Sequence, residues 1–471
     1  MLERTLQTLT NAETIAGSPY LVPISGISID TRTLSQGDLF VALTAVRDGH
    51  DFIPAAIVRG VAALLVSKPL VELPPIPDNV WVVQVPDCTK ALLEIGVWFR
   101  ENVLRCPVIA VTGSYAKTSV KTMAAEVLKE LGNGLVSEKN YNNHLGVPLT
   151  LATAQPANRF ALFELGMNHF GEIRTLTETA RPTIGLITHI GRAHIEYFGS
   201  EEAIAKAKGE LFEAMTPAGV RLVNLDDPYI LALAKKYPGA FDLGYTLSND
   251  NFDFKGRILR ATPLEKDEHG CYGISLAGTE LHSSLPGRFQ QYNLLAAATI
   301  GIALDIPLPR IAKRLRDVRA VPMRGQLLHF DSITLIRDEY NASLHSMKAG
   351  LELLNDQSTA KRRIAVLGDI FELGEQVRND HETLAEYIVE ANPSVVYLCG
   401  AHCRWTFRRL QEVASQIKVM HSDSVEEIAH IVSQRLQPGD AILVKGSRGM
   451  AMERISNAIL EIVENFSRDR K

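Results

Sequence analysis

Apolar and polar positions follow two different periods along this chain, and the two periods alternate. Residues 108–111 are apolar and run into Thr112 and Gly113. After Lys117 the apolar side chains recur at helical spacing, at Val120, Met123, Ala124, Val127 and Leu128. This segment predicts a buried strand, a tight loop and an amphipathic helix.

The same alternation extends over the rest of the chain. Residues 1 to about 100 combine short apolar runs with turn signals, which is typical of a small α/β domain. Residues 241–285 are polar and interrupted by glycines, and they predict a β excursion. Residues 363–369, 394–400 and 441–448 are strand-like with helices between them, so the last part predicts a doubly wound sheet.

A chain of 471 residues is too long for one ordinary core, and about 150 residues per domain suggests three domains. We therefore predict an α/β protein with three domains. They are a small α/β domain over residues 1–105, a central domain with a mainly parallel sheet over 106–323, and a C-terminal Rossmann-like, doubly wound domain over 324–471.

The loop between Gly113 and Lys117 has features of a phosphate-binding loop. Backbone N–H groups and the positive end of the following helix would point at one spot, Lys117 would add a charge, and Thr118 would offer a hydroxyl to Mg²⁺. The spacing is shorter than in the common G-x-x-x-x-G-K-[ST] loop, and Ala116 stands where a second glycine is usual. If that position has a positive φ, Ala116 is strained. The alternative is an ordinary strand-to-helix turn with a surface lysine.

Two further polar side chains lie in or just after predicted strands. Glu164 lies within the apolar run 160–166, where a carboxylate is costly unless it is paired or bound to a metal ion. A structural salt bridge is the alternative for this residue. His194 follows the apolar strand 183–190, at the edge where ligands bind in open parallel sheets.

Two loops carry side chains that could contact a ligand. The turn at residues 30–32 either closes through its own side chains or presents Ser28 and Arg32 to an anionic ligand. The polar loop after residue 137 holds three asparagines within four residues, among them Asn142 and Asn143, which is more than a turn needs.

Composition restricts the partners that we expect. A net charge of −5 and a pI near 6.3 give no electrostatic reason to expect nucleic acid or an anionic membrane surface. The N-terminus has no basic region followed by an apolar run, and no stretch of 18 apolar residues occurs, so we expect a cytoplasmic protein without membrane insertion. The scattered cysteines should be free thiols. No heptad seam or long apolar face argues against a monomer, which is the state that the family resemblance given below implies.

A series of motifs follows in a fixed order along the chain. They are Asp48-Gly-His-Asp-Phe52, the loop 112–119, Asn142-Asn-His-Leu-Gly-Val-Pro-Leu149, Glu164-Leu-Gly-Met-Asn-His-Phe-Gly-Glu-Ile173, Ile190-Gly-Arg-Ala-His-Ile-Glu196, Asp338-Glu-Tyr-Asn-Ala342, Leu367-Gly-Asp-Ile-Phe-Glu-Leu-Gly-Glu375 and Val444-Lys-Gly-Ser-Arg448. In this order they resemble the Mur ligase family along nearly the whole chain. The resemblance implies that the first domain binds a UDP-sugar precursor, that the central domain is a P-loop ATPase domain, and that the C-terminal domain binds the incoming amine.

The resemblance implies an ATP-dependent amide ligase. The family transfers the γ-phosphoryl group of ATP to a carboxylate of one substrate, and the amine of the other substrate attacks the acyl phosphate. Within the family, the motifs imply UDP-N-acetylmuramoyl-tripeptide and D-alanyl-D-alanine as substrates, in peptidoglycan precursor synthesis. The cofactors implied are ATP and Mg²⁺.

The resemblance also implies roles for individual residues. The catalytic residues would be Lys117, His194 and Lys208, and Lys208 matches a lysine that is carbamylated in several members. Nucleotide contacts would come from Gly113, Ser114, Tyr115, Ala116, Lys117, Thr118, Ser119, Asn293, Arg324 and Asp338. The Mg²⁺ ligands would be Thr118, Glu164 and His194. Substrate contacts would come from Ser28, Arg32, Asn142, Asn143, Tyr340 and Asn341.

The chain departs from the family pattern at several positions. Tyr115 and Ala116 replace the usual Asn-Gly of the loop, His189 stands where Asn often precedes Ile-Gly, and Leu344 replaces a common proline after Tyr-Asn-Ala. Two alternatives therefore stay open. One is a Mur-fold ligase that joins a different amine to a different carboxylate, and the other is a catalytically silent scaffold that binds nucleotide or wall precursors. The lysine, threonine, glutamate and histidine named above argue against the scaffold, because it would have no reason to keep them together.

Overall fold

The computed structural model describes residues 1–19, 21–138, 140–267, 270–330 and 333–468. Its strands form three sheets, which occupy residues 13–84, 108–281 and 326–445. The predicted α/β class is confirmed, whereas the boundaries after residues 105 and 323 stay predictions. Within the described residues, no helix is long and apolar enough to cross a membrane.

The first sheet has the strand order β1-β5-β4-β3-β2, and β1 is antiparallel to its neighbour. Its strands are β1 (Glu13–Ala16), β2 (Ile27–Ser28), β3 (Leu39–Val41), β4 (Ala63–Val66) and β5 (Trp81–Gln84). The helices are α1 (Leu2–Leu6), α2 (Ile53–Val58) and α3 (Cys88–Asn102). β4 is buried along its whole length, which explains its unbroken apolar sequence. The carboxylate of Asp87 begins α3 by accepting the N–H groups of Thr89 and Lys90.

The second sheet has the order β14-β13-β12-β11-β10-β9-β6-β8-β7. Its strands are β6 (Val108–Thr112), β7 (Gly134–Val136), β8 (Phe160–Glu164), β9 (Ile184–Ile187), β10 (Val220–Asn224), β11 (Leu243–Thr246), β12 (Arg257–Lys266), β13 (Tyr272–Leu276) and β14 (Thr279–Leu281). The helices are α4 (Lys117–Leu128), α5 (Gly146–Leu151), α6 (Glu172–Ala180), α7 (Ile195–Phe198), α8 (Glu201–Ala214), α9 (Pro228–Lys236), α10 (Gln290–Ala303) and α11 (Leu308–Arg316). The pairs from β7 to β12 are parallel, and the last two pairs are antiparallel, so the predicted β excursion extends this sheet.

The third sheet has the order β15-β16-β20-β17-β18-β19, with β15 antiparallel to β16 and the other pairs parallel. Its strands are β15 (Gln326–Phe330), β16 (Ile333–Arg337), β17 (Arg362–Gly368), β18 (Val395–Cys399), β19 (Lys418–Ser422) and β20 (Asp440–Lys445). The helices are α12 (Leu344–Asn355), α13 (Val377–Ala391), α14 (Cys403–Val413), α15 (Val425–Gln434) and α16 (Glu453–Arg468). A capping box of Ser343 and Ser346 begins α12.

Three neighbouring strands of the second sheet position the candidate site. β6 lies between β8 and β9 and is parallel to both, with Val111 opposite Glu164 and Thr112 opposite Ile187. The loop after β6, the end of β8 and the segment after β9 therefore meet at one edge of the sheet. This is the edge at which ligands bind in open α/β sheets.

Candidate functional site

The loop between β6 and α4 has a backbone that only certain residues can adopt. Gly113 has a φ of +148°, and a Cβ there would lie 1.9 Å from Oγ1 of Thr188, so a larger residue would clash. Ala116 precedes α4 in the left-handed conformation, with a φ of 66°. This conformation costs a non-glycine residue about 1 kcal/mol, so the surroundings of the loop must enforce it.

Hydrogen bonds to the segment after β9 hold this loop. The N–H of Ser114 donates to the carbonyl oxygen of His189 at 2.8 Å, and its Oγ donates to the carbonyl oxygen of Gly191 at 2.9 Å. The Oγ1 of Thr188 donates to the carbonyl oxygen of Tyr115 at 2.6 Å. The loop is thus tied on successive residues to the neighbouring strand end.

Residues 117–119 form the first turn of α4, whose N-terminal N–H groups carry the positive end of the helix dipole. Nζ of Lys117 donates to the carbonyl oxygens of Gly113 at 2.7 Å and Ser114 at 3.4 Å, so its charge lies over the loop. Burial lowers the pKa of Lys117, and the negative charge of Glu164 opposes that shift. Positive charge and helix dipole therefore converge on one spot.

Glu164, at the end of β8, is the centre of a buried polar group. Its Oε2 accepts a hydrogen bond from Oγ1 of Thr118 at 2.9 Å and lies 3.5 Å from Nζ of Lys121. Its Oε1 accepts a hydrogen bond from Nδ2 of Asn142 at 3.2 Å. Burial alone would raise its pKa, but the charges of Lys117 and Lys121 and the hydrogen bond from Thr118 outweigh it and lower the pKa. The carboxylate of Glu164 is therefore ionised at neutral pH. Its position is compatible with both sequence-based interpretations, a structural salt bridge and a metal ligand.

Lys208 is buried in α8, with only 1% of its surface exposed. Among the described residues its amino group has no hydrogen-bond partner and no counter-ion. Burial lowers its pKa well below the ordinary lysine value, and the positive charge of Lys117 lowers it further. Lys206, two residues earlier, is exposed, and its Nζ lies 5.9 Å from the ring centre of Phe170. Burial thus distinguishes Lys208 from Lys206, which the spacing of apolar residues along the helix could not do.

The other predicted nucleotide contacts lie outside the loop, in α10 and next to the third sheet. Asn293 is buried in α10. The guanidinium of Arg324 lies 3.9 Å from the ring centre of Tyr340. Asp338 follows β16 and pairs with Nζ of Lys445, at the end of β20, at 2.6 Å. The structure therefore brings the C-terminal residues of this group together at one end of the third sheet.

His194 lies at the junction between the second and third sheets. Its φ is 65°, and its Nδ1 lies 2.6 Å from Oε2 of Glu372, without the alignment of a hydrogen bond. Nearby, Arg192 contacts the fully buried Asp380 at 2.9 Å, and the N–H of Glu196 donates to the carbonyl oxygen of Glu372 at 3.0 Å. Burial raises the pKa of Asp380, and Arg192 opposes this shift. The imidazole of His194 thus contacts a carboxylate from the third domain, and its role as a metal ligand stays a prediction.

The predicted UDP contacts lie in a turn that closes on itself. The N–H of Asp30 donates to Oγ of Ser28 at 3.1 Å, and Arg32 donates to both carboxylate oxygens of Asp30 at 2.7 to 3.1 Å. The hydrogen bonds from Arg32 also lower the pKa of Asp30. Of the two alternatives for this turn, the structure has the self-closed one, and the contact with an anionic ligand stays a prediction.

Two predicted substrate asparagines already take part in local hydrogen bonds. Oδ1 of Asn143 accepts the N–H groups of Leu145 and Gly146, at the start of α5. Asn143 also lines a cavity of about 380 Å³. Oδ1 of Asn341 accepts the N–H of Arg448 at 3.3 Å. These bonds fix both side chains but do not test their contact with substrate.

Sequence reasoning missed two residues of the site. Lys121 lies one helical turn after Lys117 and donates from Nζ to the carbonyl oxygen of Ser137 at 2.8 Å. The i, i+4 spacing of two lysines was a signal that could have found it. His345 stacks on the ring of Tyr115 with the ring centres 4.3 Å apart, and no local pattern indicates that contact.

Three models of one protein family match the chain in order. The model described as "Mur ligase family, catalytic domain" matches residues 23–95, "Mur ligase middle domain" matches residues 111–301, and "Mur ligase, glutamate ligase domain" matches residues 323–448. The resemblance inferred from the motifs is confirmed by these matches.

Relatives of known name match nearly the whole chain. The UDP-N-acetylmuramoyl-tripeptide–D-alanyl-D-alanine ligase of Escherichia coli (strain K12) is 33% identical over 450 residues, which cover 93% of this chain and 94% of that protein. The protein of the same name from Rickettsia prowazekii (strain Madrid E) is 31% identical over 434 residues, which cover 91% and 94%.

Solved structures show the same fold. The crystal structure of MurF from Acinetobacter baumannii has a TM-score of 0.85 at 25% identity and covers 98% of both chains. The MurF ligase from Thermotoga maritima, solved in complex with ADP, has a TM-score of 0.78 at 23% identity, covering 94% of this chain and 99% of that one. The arrangement of three sheets described above is therefore the fold of these ligases.

Proposed function

This chain belongs to the Mur ligase family, and we propose from that premise that it joins D-alanyl-D-alanine to UDP-N-acetylmuramoyl-tripeptide with the hydrolysis of ATP. The bond formed is an amide between the terminal carboxylate of the tripeptide and the amine of the dipeptide, and ADP and phosphate are released. The observation that carries the proposal is the buried group of Lys117, Thr118 and Glu164 at the edge of the central sheet.

The strained loop and the first turn of α4 would bind the phosphates of ATP. Phosphoryl transfer needs positioning and neutralisation of charge more than covalent help from the protein. Lys117 would exchange its bonds to the carbonyl oxygens of Gly113 and Ser114 for bonds to phosphate oxygens. The attacking carboxylate takes the γ-phosphoryl group, which gives an acyl phosphate and ADP.

The donor set around Glu164 fits Mg²⁺. An ionised carboxylate and the hydroxyl of Thr118, 2.9 Å apart, are the hard oxygen ligands that this ion prefers. When bound there, Mg²⁺ would neutralise charge on the phosphates. His194 could join this set through Nε2 while its Nδ1 stays on Glu372, because a carboxylate on the other ring nitrogen commonly orients a ligating histidine.

Lys208 is suited to carbamylation. Burial lowers the pKa of this amine well below the ordinary lysine value, which favours its neutral form, and a neutral amine reacts with carbon dioxide to form an N–C bond with loss of a proton. The resulting carbamate would replace an amine without a partner by an anion that Mg²⁺ and Lys117 can neutralise. We therefore assign Lys208 a supporting role for the metal ion.

The incoming dipeptide would bind on the C-terminal side, near Asp338, Tyr340 and Asn341. Its amine attacks the carbonyl carbon of the acyl phosphate, phosphate leaves, and the nitrogen loses a proton. An acyl phosphate hydrolyses if water reaches it. The approach of the third domain to the loop would exclude water from this intermediate. The ion pair of Arg192 with Asp380 and the contact of His194 with Glu372 belong to that approach.

Release of phosphate from ATP tests this proposal. We expect release only when UDP-N-acetylmuramoyl-tripeptide and D-alanyl-D-alanine are both present, and none when either is omitted. Release with another pair of amine and carboxylate would support the alternative ligase. No release with any pair, together with retained binding of nucleotide, would support the scaffold.

A further inference from the structure

Aromatic rings stack across the junction between the loop and the third domain. Tyr115, in the loop, lies nearly parallel to His345, in the first turn of α12, with ring centres 4.3 Å apart and an angle of 13°. Tyr115 also stacks on His189, which follows β9, at 5.1 Å and 19°. Tyr292 of α10 meets His189 edge-on at 5.3 Å and 80°. These distances are those of favourable aromatic pairs.

The stack joins three segments that are far apart in sequence. Tyr115 lies in the loop, His189 follows β9, and His345 lies in α12, yet their rings are in contact. The stack lies beside Ala116, whose left-handed conformation the surroundings of the loop must enforce. The rings therefore connect the strained loop with the third sheet's first helix.

The stack is held by aromatic contact and not by charge. Burial lowers the pKa of His189 to about 4, and partial loss of surrounding water together with the positive charge of Lys348 lowers the pKa of His345. Both imidazoles are therefore neutral at pH 7. The contact of Arg192 with Asp380 at this junction is, in contrast, an ion pair.

We propose that Tyr115 and His345 are positioning residues, whose stacked rings couple the approach of α12 to the conformation of the phosphate loop. The loop is already tied to β9 by hydrogen bonds, so His345 adds the link to the third domain. This inference rests on the proposed function in one respect, because the approach would form the site for the incoming amine. The link itself is independent of any substrate.

The variant His345→Ala tests the link, because His345 is exposed and its loss should not affect folding. In small-angle X-ray scattering without nucleotide, we expect a larger radius of gyration than for the wild type. We also expect kcat/KM for D-alanyl-D-alanine to fall about two- to tenfold, the effect of one lost aromatic pair. The Kd for ATP should stay within about twofold, because the loop keeps its bonds to β9.

Two further variants complete the test. His345→Phe keeps an aromatic ring and should restore both the radius of gyration and kcat/KM. His430→Ala removes an exposed imidazole from α15 and should change neither quantity. An unchanged radius of gyration in His345→Ala would overturn the inference, even if kcat/KM falls, because His345 would then act on substrate directly. If the chain proves to have no ligase activity, the scattering comparison still decides the question.

Discussion

The phosphate loop and the turn at residues 30–32 are both predicted to meet phosphate groups, yet they are built in opposite ways. In the turn, Arg32 is paired with Asp30, and the hydroxyl of Ser28 accepts a backbone N–H of the same turn. At the loop, Ala116 is held in a strained conformation, and Lys208 beside the loop is buried with no partner among the described residues.

This difference indicates that the loop, and not the turn, belongs to the reactive part of the site. Strain and a buried amine without a counter-ion destabilise the protein, so they persist only where the surrounding structure enforces them. Hydrogen bonds to the segment after β9 enforce the conformation of the loop. The turn, in contrast, satisfies its own polar groups and needs no ligand to explain its conformation. We therefore expect substitutions at the loop to have much larger effects on activity than substitutions at the turn.

The largest effect should come from Lys117→Ala. This variant removes the positive charge that lies over the loop, and we expect kcat to fall about 10³-fold or more, because charge neutralisation is the main contribution to phosphoryl transfer. Phosphate release measures this effect. Lys129→Ala, at the other end of α4, removes only an exposed ion pair with Glu126 and should leave kcat unchanged. Near-normal activity of Lys117→Ala would mean that the loop does not bind the transferred phosphate.

Glu164→Gln should have the next largest effect. The amide keeps the shape of the side chain but not its charge, so we expect kcat to fall about 10²-fold and the Mg²⁺ concentration for half-maximal activity to rise. A titration of phosphate release against Mg²⁺ measures both. Thr118→Val should shift the Mg²⁺ requirement in the same direction, and Thr118→Ser, which keeps the hydroxyl, should not. An unchanged Mg²⁺ requirement in Glu164→Gln would place the ion elsewhere.

Lys208→Met should lower the activity of the enzyme without lowering its stability. It replaces a buried amine by an apolar chain of similar length, so we expect about a tenfold loss of kcat together with an unchanged or higher melting temperature. Lys206→Met, on the exposed face of the same helix, should change neither. Removal of carbon dioxide should reduce wild-type activity, bicarbonate should restore it, and Lys208→Met should respond to neither treatment. If removal of carbon dioxide leaves the wild-type activity unchanged, Lys208 is not carbamylated in the active enzyme.

The pH dependence of unfolding checks the charge state of Lys208. Its pKa is lowered in the folded protein, so between the lowered and the ordinary pKa the unfolded chain binds more protons there than the folded chain does. Stability should therefore rise with pH, from the lowered pKa up to the ordinary lysine value near 10, by about 1 kcal/mol per pH unit from this residue. Chemical denaturation in buffer free of carbon dioxide should show a smaller rise in Lys208→Met. Equal slopes would mean that Lys208 keeps its proton on folding.

Residues near strand ends were predictable from sequence because apolar periodicity locates those ends. His194 was assigned to the ligand-binding edge of a parallel sheet, Thr112 to the end of a strand and Glu164 to an apolar strand, and the order of β8, β6 and β9 brings their segments to one edge. Ala116 was expected to be strained from the missing glycine alone, and its φ is positive. These features depend on a few neighbouring residues, which is the range over which sequence patterns are informative.

Features that depend on tertiary contact were not predictable. Helix spacing gives Lys206 and Lys208 equal weight, and only the packing of α8 shows which one is buried. The contacts of His194 with Glu372 and of Tyr115 with His345 join segments more than 170 residues apart in sequence. No local pattern encodes such pairs, because each depends on how two separately formed sheets approach each other.

The smallest effect should come from Arg32→Ala in the turn. The side chain of Arg32 is 87% exposed and already paired with Asp30, so its net contribution to binding a diphosphate should be small. We expect KM for the UDP substrate to rise about two- to threefold, with KM for ATP unchanged. Asp30→Asn keeps an acceptor for the N–H of Arg32 but releases the guanidinium, so it should lower KM for the UDP substrate if Arg32 faces the diphosphate. A rise of more than tenfold in Arg32→Ala would contradict the comparison between the two regions, because it would show that the turn opens and that its self-closed form is only the resting state.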